Sequence, residues 1–184
     1  MYWERLRKSA PEDISERTLV SYKEDMYRLD ILGQTYAIDP GTEKINGTAP
    51  DHFFQAFLLQ YLLAERPVSP AGSWISGRDI PGGPLFFRGP HEISAARLVK
   101  SYGNDPERFV SRGLELGGEP DPVSKYAIKL TVLPLVPVCL LLWPASDEFP
   151  AEAGMLFDAA SPKFLPKDAL WALSCWTIKK FISG

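Results

Sequence analysis

Residues 130–158 read LTVLPLVPVCLLLWPASDEFPAEAGMLFD, the most apolar run of the chain followed by a pair of acids, Asp147 and Glu148. Pro134 and Pro137 interrupt the apolar part, which therefore predicts two short buried strands with a bend between them. The run cannot be a membrane-spanning helix, because about 18 uninterrupted apolar residues are needed to cross a bilayer. The acids follow directly on a core strand, where a rigid scaffold passes into a loop. Functional groups are often carried at such positions.

The length and composition of the chain are those of a soluble globular protein. Of its 184 residues, 45% are hydrophobic and 23% are charged. A chain of this size buries roughly 70% of the surface that its unfolded form exposes. We therefore expect residues 1–184 to form one domain, without disulfides or a structural metal. The net charge is −3 and there is no long basic run, which argues against nucleic-acid binding.

The two cysteines, Cys139 and Cys175, belong to no CxxC pair, so the chain offers no iron–sulphur or zinc ligand set. We expect both thiols to be buried in a reducing compartment. The N-terminal stretch MYWERLRKSAPED is charged and lacks the apolar core of a signal peptide. These features predict a cytoplasmic protein with no membrane association and with no cofactor or metal of its own.

The first third of the chain predicts a helix, a small sheet and a second helix. Residues 11–18 carry acids early and Arg17 late, the charge order that favours a short surface helix. Residues 27–38 alternate apolar and polar side chains around a turn at Gly33, which predicts a hairpin, with a third strand at 43–45. Asp51 then predicts the N-cap of a helix that is apolar nearly all round and that Pro67 ends.

Residues 68–90 are rich in proline and glycine and predict a long ordered loop, a kind of segment that is often functional. We expect Trp74, Ile75 and residues 85–87 to anchor this loop to the core. Three helices follow from the remaining patterns: one over residues 91–102, one capped by Asp105 and ended by Gly117 and Gly118, and a buried closing helix over residues 166–182.

Together these elements predict an α+β fold. We expect a mainly antiparallel sheet of about five strands, built from the meander at residues 27–45 and the hairpin at residues 126–142. The helix after Asp51 and the C-terminal helix should pack against this sheet.

The side chains that carry candidate chemistry lie in the loop, just after it at His91, after the core strand that precedes Asp147, and before the turn that follows Asp158. Asp147 and Glu148 are candidates for a binding or general acid–base role, or for capping and salt bridges at a strand end. Adjacent residues of an extended chain point in opposite directions, so the two acids do not readily chelate one ion. Asp158 predicts an Asx-type turn. The full candidate set is Trp74, Arg78, Asp79, Gly82, Gly83, Arg88, His91, Asp147, Glu148 and Asp158.

Known catalytic and nucleotide-binding motifs do not occur in the chain. A glycine turn such as Gly82-Gly83 can present backbone N–H groups to an anion. However, neither GxGxxG nor GxxxxGK[ST] is present, so nucleotide binding is not expected. A serine nucleophile would need a setting such as GxSxG, which is also absent.

The order of these segments resembles a prokaryotic family catalogued as domain of unknown function 3786. The resemblance is carried by FLLQYLLAE (57–65), WISGRDIPGGP (74–84), LGG (116–118), LPLVPV (133–138), DEFPA (147–151), LFDAA (156–160) and LPKD (165–168). Some relatives look like fusions to a cysteine-rich iron–sulphur domain, chiefly in anaerobes. The resemblance implies an accessory role beside redox or one-carbon metalloenzymes, with an iron–sulphur or corrinoid-type protein as partner. This chain lacks the cysteines of those fusions, so any cluster would sit on the partner.

Three hypotheses for function follow. The first is a non-catalytic ligand- or partner-binding module, whose cleft lies between the proline- and glycine-rich loop and the turn at residues 147–150. The alternative is a hydrolase-like enzyme that uses Asp147 or Glu148 with His91 or Arg78. The third is a structural subunit, which an exposed apolar patch would favour.

Overall fold

The α+β fold class predicted from the sequence is confirmed, but the strands form two sheets instead of one. The computed structural model describes residues 2–47, 49–93 and 95–183. The first sheet is an antiparallel meander. Its strands, in spatial order, are β1 (Ser21–Lys23), β2 (Met26–Ile31), β3 (Gln34–Asp39) and β4 (Lys44–Ile45).

The second sheet has the spatial order β5-β9-β8-β7-β6, with every neighbouring pair antiparallel. Its strands are β5 (Trp74–Ile75), β6 (Glu119–Pro120), β7 (Ala127–Leu133), β8 (Val136–Trp143) and β9 (Glu152–Asp158). The stretch quoted at the outset supplies most of β7 and all of β8 and β9. Pro134 lies in the turn between β7 and β8, whereas Pro137 lies inside β8 opposite Thr131, beside an irregularity of the register.

Eight α-helices occur within the described ranges. In chain order they are α1 (Tyr2–Lys8), α2 (Pro11–Thr18), α3 (His52–Leu62), α4 (Gly83–Phe86), α5 (Ala96–Tyr102), α6 (Pro106–Glu115), α7 (Ser161–Phe164) and α8 (Lys167–Ile182). None of the helices within the described ranges has the length and apolar character needed to span a membrane.

The predicted caps are confirmed, and two helices are shorter than predicted. Helix α3 ends at Leu62, well before Pro67. The Asp51 carboxylate accepts hydrogen bonds from the backbone N–H groups of Phe53 and Phe54, at 3.0 and 3.2 Å. The Asp105 carboxylate caps α6 in the same way. The helix predicted over residues 91–102 begins only at Ala96, because Pro90 lies in a separate 3-10 turn (Gly89–His91) and the backbone is extended at Glu92.

The proline- and glycine-rich loop is ordered and anchored to the core, as predicted, but not by all the expected residues. Phe87 is buried, and Trp74 and Ile75 are half-buried in β5. Leu85 is 71% exposed, so the expectation that it anchors the loop was wrong. The physical reason is the turn of α4, which directs Phe87 rather than Leu85 toward the core.

The core lies between the five-stranded sheet and helices α3 and α8. Side chains such as Leu130, Val138 and Phe157 face this core. The other face of the same sheet carries a small cluster of Ala127, Cys139 and Leu141, on which Trp74 and Leu156 pack. The alternation along β7, β8 and β9 therefore gives the sheet two apolar faces, of which the larger supports the whole fold.

Candidate binding clefts

Asp158 holds the start of the loop against the end of β9. It is buried, and its carboxylate accepts hydrogen bonds from the backbone N–H groups of Ala71, Gly72 and Ala160, each at 2.8 Å. The bond to Ala160 is the Asx-type turn predicted from the sequence. Because backbone N–H groups occupy both carboxylate oxygens, the role of Asp158 is to fix the position of the loop.

Trp74 ties the same loop to the opposite edge region of the sheet. Its indole N–H donates to the Asp121 carboxylate at 3.0 Å, and Asp121 also accepts from the backbone N–H of Val123. Asp121 was not among the residues selected from the sequence, since only the folded sheet brings it to Trp74.

The glycine pair is required by sterics. Gly82 has a φ of 72°, a left-handed conformation that glycine adopts without a steric penalty. A Cβ atom on Gly83 would lie 2.0 Å from the Gly77 carbonyl oxygen. The N–H of Gly83 donates to the Ile80 oxygen at 2.6 Å, so this group is not presented to an anion.

The charged residues of the loop differ in the contacts that they make. Hydrogen bonds from the Ser76 side chain and from its backbone N–H lower the pKa of Asp79. Arg78 and Arg88 are exposed. The His91 ring stacks on Phe86, with 4.6 Å between centroids, and meets Trp171 edge-on at 4.9 Å.

One side of the proline- and glycine-rich loop faces a cleft of about 520 Å³, here called the loop cleft. Apolar side chains form both walls, and a lysine bridges them: the Lys167 ammonium donates to the Pro81 oxygen at 3.3 Å. The lining residues are Ile75, Asp79, Ile80, Pro81, Ala159, Pro162, Lys163, Leu165, Pro166 and Lys167.

A second cleft of about 540 Å³, here called the helix cleft, lies between α1, the end of α3 and residues 162–166. Pro162, Lys163, Leu165 and Pro166 line both clefts, so residues 162–166 form a ridge between them. The other lining residues of the helix cleft are Tyr2, Arg5, Gln60, Leu63, Ala64, Glu65, Arg66 and Phe164.

The charge around the ridge is predominantly positive. Arg5, Arg66 and Lys163 are exposed and form no ion pair within the described part of the chain. The acids on the walls are Glu65 of the helix cleft and Asp79 of the loop cleft. Because the whole chain has a net charge of −3, this is a local reversal of sign.

The structure does not bring Asp147 and Glu148 to the loop. Both are exposed in the turn that joins β8 to β9, beyond the Trp143–Glu152 pair. β9 has seven residues, so its two ends lie about 20 Å apart. The loop pairs with the far end, at Asp158, and faces residues 159–167 across the loop cleft instead of the turn at 147–150.

The described residues offer no cluster of three or more histidine, cysteine or acidic side chains that could hold a metal ion. Burial raises the pKa of the Cys139 thiol to about 12, with a smaller contribution from the Asp121 charge, and burial also raises the pKa of Cys175. Both thiols are therefore protonated and weakly nucleophilic at neutral pH.

The residues that the sequence reasoning missed are those of the ridge and of the helix cleft. The segment SPKFLPK has two prolines and two lysines within seven residues, a local signal that was available. Arg5 and Arg66 carry no such signal, because folding alone brings α1 against α3.

A protein-family model matches most of the chain. A model described as a domain of unknown function (DUF3786) matches residues 10–180, which include the whole loop cleft and the ridge but not Tyr2 or Arg5 of the helix cleft. No curated protein and no solved structure matches the chain. Since the match extends over most of its length, the chain belongs to the family of the domain of unknown function DUF3786.

Proposed function

We propose that this chain is a non-catalytic accessory module that binds a partner protein, and that the loop cleft and the helix cleft together form its docking surface. The observation that carries the proposal is the shared ridge at residues 162–166. Two clefts of similar size meet at this ridge, so one extended segment of a partner can occupy both.

The chemistry of the walls favours an acidic segment with apolar side chains. Ile75, Pro81 and Pro166 offer apolar contact in the loop cleft. Arg5, Arg66 and Lys163 stand around the ridge without acidic partners in the described ranges, and carboxylates of the bound segment would neutralise them. Complementary charge of this kind speeds encounter and selects partners.

The hydrogen bonds and the positions of the candidate acids support a binding role over a catalytic one. Asp158 and Asp79 accept backbone hydrogen bonds that shape the loop. The hydrolase alternative pairs Asp147 or Glu148 with His91 or Arg78. Arg78 follows β5, which pairs with the other end of β9, and the His91 ring packs on Phe86 and Trp171.

The nature of the partner and the compartment rest on the family resemblance and on the thiols. The resemblance favours an iron–sulphur or corrinoid-type protein of anaerobic redox or one-carbon metabolism. Cys139 and Cys175 are free, which suits the reducing cytoplasm of a prokaryotic cell.

Anaerobic co-purification tests the proposal. The tagged chain is recovered from extracts of its source cells, and the eluate is analysed for protein identity and for iron and cobalt. We expect an iron- or cobalt-containing protein to co-elute with the wild-type chain. The double charge reversal Arg66→Glu/Lys163→Glu should abolish its recovery, because both side chains face the docking surface.

The matched control is Lys23→Glu/Lys100→Glu, which makes the same change of charge at two exposed lysines that line neither cleft. This control should recover the partner as the wild type does. A wild-type chain that elutes alone and without metal would contradict the proposal, as would equal recovery by both double variants.

A further inference from the structure

The turn between β8 and β9 forms a second distinctive surface, here called the hairpin tip (residues 143–150). Phe149 is 69% exposed and Trp143 is 46% exposed. Asp147 and Glu148 are also exposed and form no ion pair within the described residues. The tip therefore combines two accessible aromatic rings with two free negative charges.

The hairpin tip has a defined shape. The backbone N–H of Ser146 donates to the Phe149 oxygen at 2.9 Å, and the N–H of Phe149 donates to the Ser146 hydroxyl at 3.2 Å. At the base of the tip, Trp143 lies over Gly154, where a Cβ atom would be 3.5 Å from the indole ring. Exposed aromatic side chains on an ordered turn are typical of protein interaction sites.

The loop cleft and its ridge complement the hairpin tip in charge and in polarity. The tip is acidic with apolar rings, whereas the cleft has apolar walls next to Lys163, and Arg66 lies beyond the ridge. The cleft's own acid, Asp79, is held by Ser76 at the rim. A second copy of the chain thus carries the chemistry that each surface lacks.

The positions of the two surfaces favour a closed pair of copies. The hairpin tip lies just before Glu152 and the loop cleft begins at Ala159, so the surfaces occupy opposite ends of β9, about 20 Å apart. When complementary surfaces stand at the two ends of a molecule, a twofold axis between two antiparallel copies lets both contacts form at once.

We propose that two copies of this chain associate about a twofold axis, with the hairpin tip of each seated in the loop cleft of the other. Phe149 contacts the apolar walls, and Asp147 and Glu148 lie beside Lys163 and Arg66. The occupant differs from the metalloprotein partner proposed above, and the two would compete for the same surface.

The pair is expected to be weak and sensitive to salt. Each contact involves one turn of eight residues, so the interface belongs to the small, transient class. Its charged groups are exposed, and added salt screens such groups efficiently. We expect a monomer–dimer equilibrium that shifts toward dimer with concentration and toward monomer with salt.

Sedimentation equilibrium of four samples tests the inference. These are the wild type, the tip variant Asp147→Lys/Glu148→Lys, the cleft variant Arg66→Glu/Lys163→Glu, and an equimolar mixture of both variants. Each variant alone should remain monomeric, because like charges then meet at both contacts. In the mixture both contacts join opposite charges, so heterodimers should form at least as readily as wild-type dimers.

Circular dichroism of each variant checks that the fold is retained; every substituted side chain is exposed. A wild type that stays monomeric at the highest soluble concentration would overturn the inference. So would a dimer that neither variant weakens, or a mixture that does not associate. The tip variant keeps an intact cleft and should still recover the metalloprotein partner, so failure of the dimer and failure of the proposed function are separable.

Discussion

At the scale of single residues, Asp158 determines where the loop lies. Its buried carboxylate accepts three backbone hydrogen bonds, two of them from the loop residues Ala71 and Gly72. Each bond to a charged acceptor contributes about 1.5–3 kcal/mol. We expect Asp158→Ala to lower the free energy of unfolding by at least about 3 kcal/mol, measured by urea denaturation.

Hydrogen exchange at Ala71 and Gly72 should also accelerate in this variant. Asp158→Asn keeps one acceptor oxygen and should lose less stability. Asp147→Ala is the matched control: its carboxylate is exposed, so the free energy of unfolding should change by less than about 0.5 kcal/mol. Equal effects of the Asp158 and Asp147 substitutions would contradict the assignment of Asp158 as the anchor.

The Cys139 thiol gives the fold an alkaline dependence. Burial raises its pKa to about 12, against about 8.5 in an unfolded chain. The unfolded state therefore loses this proton first as pH rises. The stability linked to Cys139 is complete below about pH 8.5 and is lost progressively between about pH 8.5 and 12.

Unfolding free energies of the wild type and of Cys139→Ala, measured from pH 7 to 10, check this expectation. The wild type should lose more stability with rising pH than the variant, because only the wild type carries the thiol. The comparison cancels the buried tyrosines, which the two proteins share. Parallel pH profiles would refute the prediction.

At the scale of elements, the loop depends on the close approach of α4 to the 3-10 turn at Gly77–Asp79. A Cβ atom on Gly83 would lie 2.0 Å from the Gly77 oxygen, whereas one on Gly33 would meet no atom within 4 Å. We expect Gly83→Ala to displace the loop and to destabilise the protein by more than about 2 kcal/mol. Gly33→Ala introduces only left-handed strain, about 1–2 kcal/mol.

Thermal unfolding of the two variants compares their losses of stability. Binding of the acidic partner segment proposed for the loop cleft should weaken in Gly83→Ala alone. An equal loss of stability in both variants would show that the approach to Gly77 is not the limiting contact.

Helix α6 fixes the C-terminal end of α8 through Arg112. Its guanidinium donates to the Phe181 oxygen at 2.9 Å and to the Lys180 oxygen at 3.2 Å, while the Tyr102 hydroxyl donates to the same Phe181 oxygen. Both carbonyls lie in the last turn of α8, where the regular i→i+4 hydrogen bonds end; the Lys180 oxygen also accepts from the backbone N–H and the hydroxyl of Ser183. Arg112→Ala should cost about 2–3 kcal/mol in urea denaturation.

Arg112→Lys should recover only part of this loss, because a single ammonium does not reproduce the guanidinium fork. Arg108→Ala, on the same helix but exposed, is the control and should cost less than about 1 kcal/mol. If Arg108→Ala were as harmful as Arg112→Ala, the capping role of Arg112 would be untenable.

Elements with a local signal could be predicted from the sequence. Asp51 and Asp105 cap the helices that they were expected to cap, and Gly33 lies in the turn of the predicted hairpin. Strand β9 was missed because Ala153 and Gly154 have low strand propensity. Pairing with β8, and thus tertiary context, makes the segment a strand.

The candidate site was predictable in part for the same reason. The loop was recognised from its prolines and glycines, and Asp158 from its turn. The opposite wall was not, because the sequence gives no measure of which strand end faces the loop. Asp147 and Glu148 precede β9 and Asp158 ends it, so without this strand the sequence did not show that the acids and Asp158 lie about 20 Å apart.

At the scale of the whole molecule, an aromatic cluster joins the meander sheet to the helices. Trp176 of α8 lies 4.9 Å from Phe54, 5.7 Å from Phe57 and 6.4 Å from Tyr36 of β3, measured between ring centroids. Because the cluster connects the meander sheet with helices α3 and α8, we expect unfolding to be one cooperative transition. Near- and far-ultraviolet circular dichroism should give coincident curves.

Trp176→Ala should lower the free energy of unfolding by about 3–5 kcal/mol while the transition remains single. Trp171→Ala, on the same helix but only half-buried, should cost less. Separate transitions for the two sheets, or a smaller loss at Trp176 than at Trp171, would disprove this coupling.

The ridge at residues 162–166 has one more consequence. Pro162 and Pro166 have no backbone N–H, and the nitrogens of Lys163 and Leu165 donate inward to the oxygens of Ala160 and Ser161. The ridge therefore cannot extend a partner's sheet by strand addition, and it gives no template for edge-to-edge aggregation. A bound chain must recognise the shape and the side chains of the ridge. Binding should therefore tolerate changes in the partner's backbone conformation more readily than changes in the order of the partner's side chains.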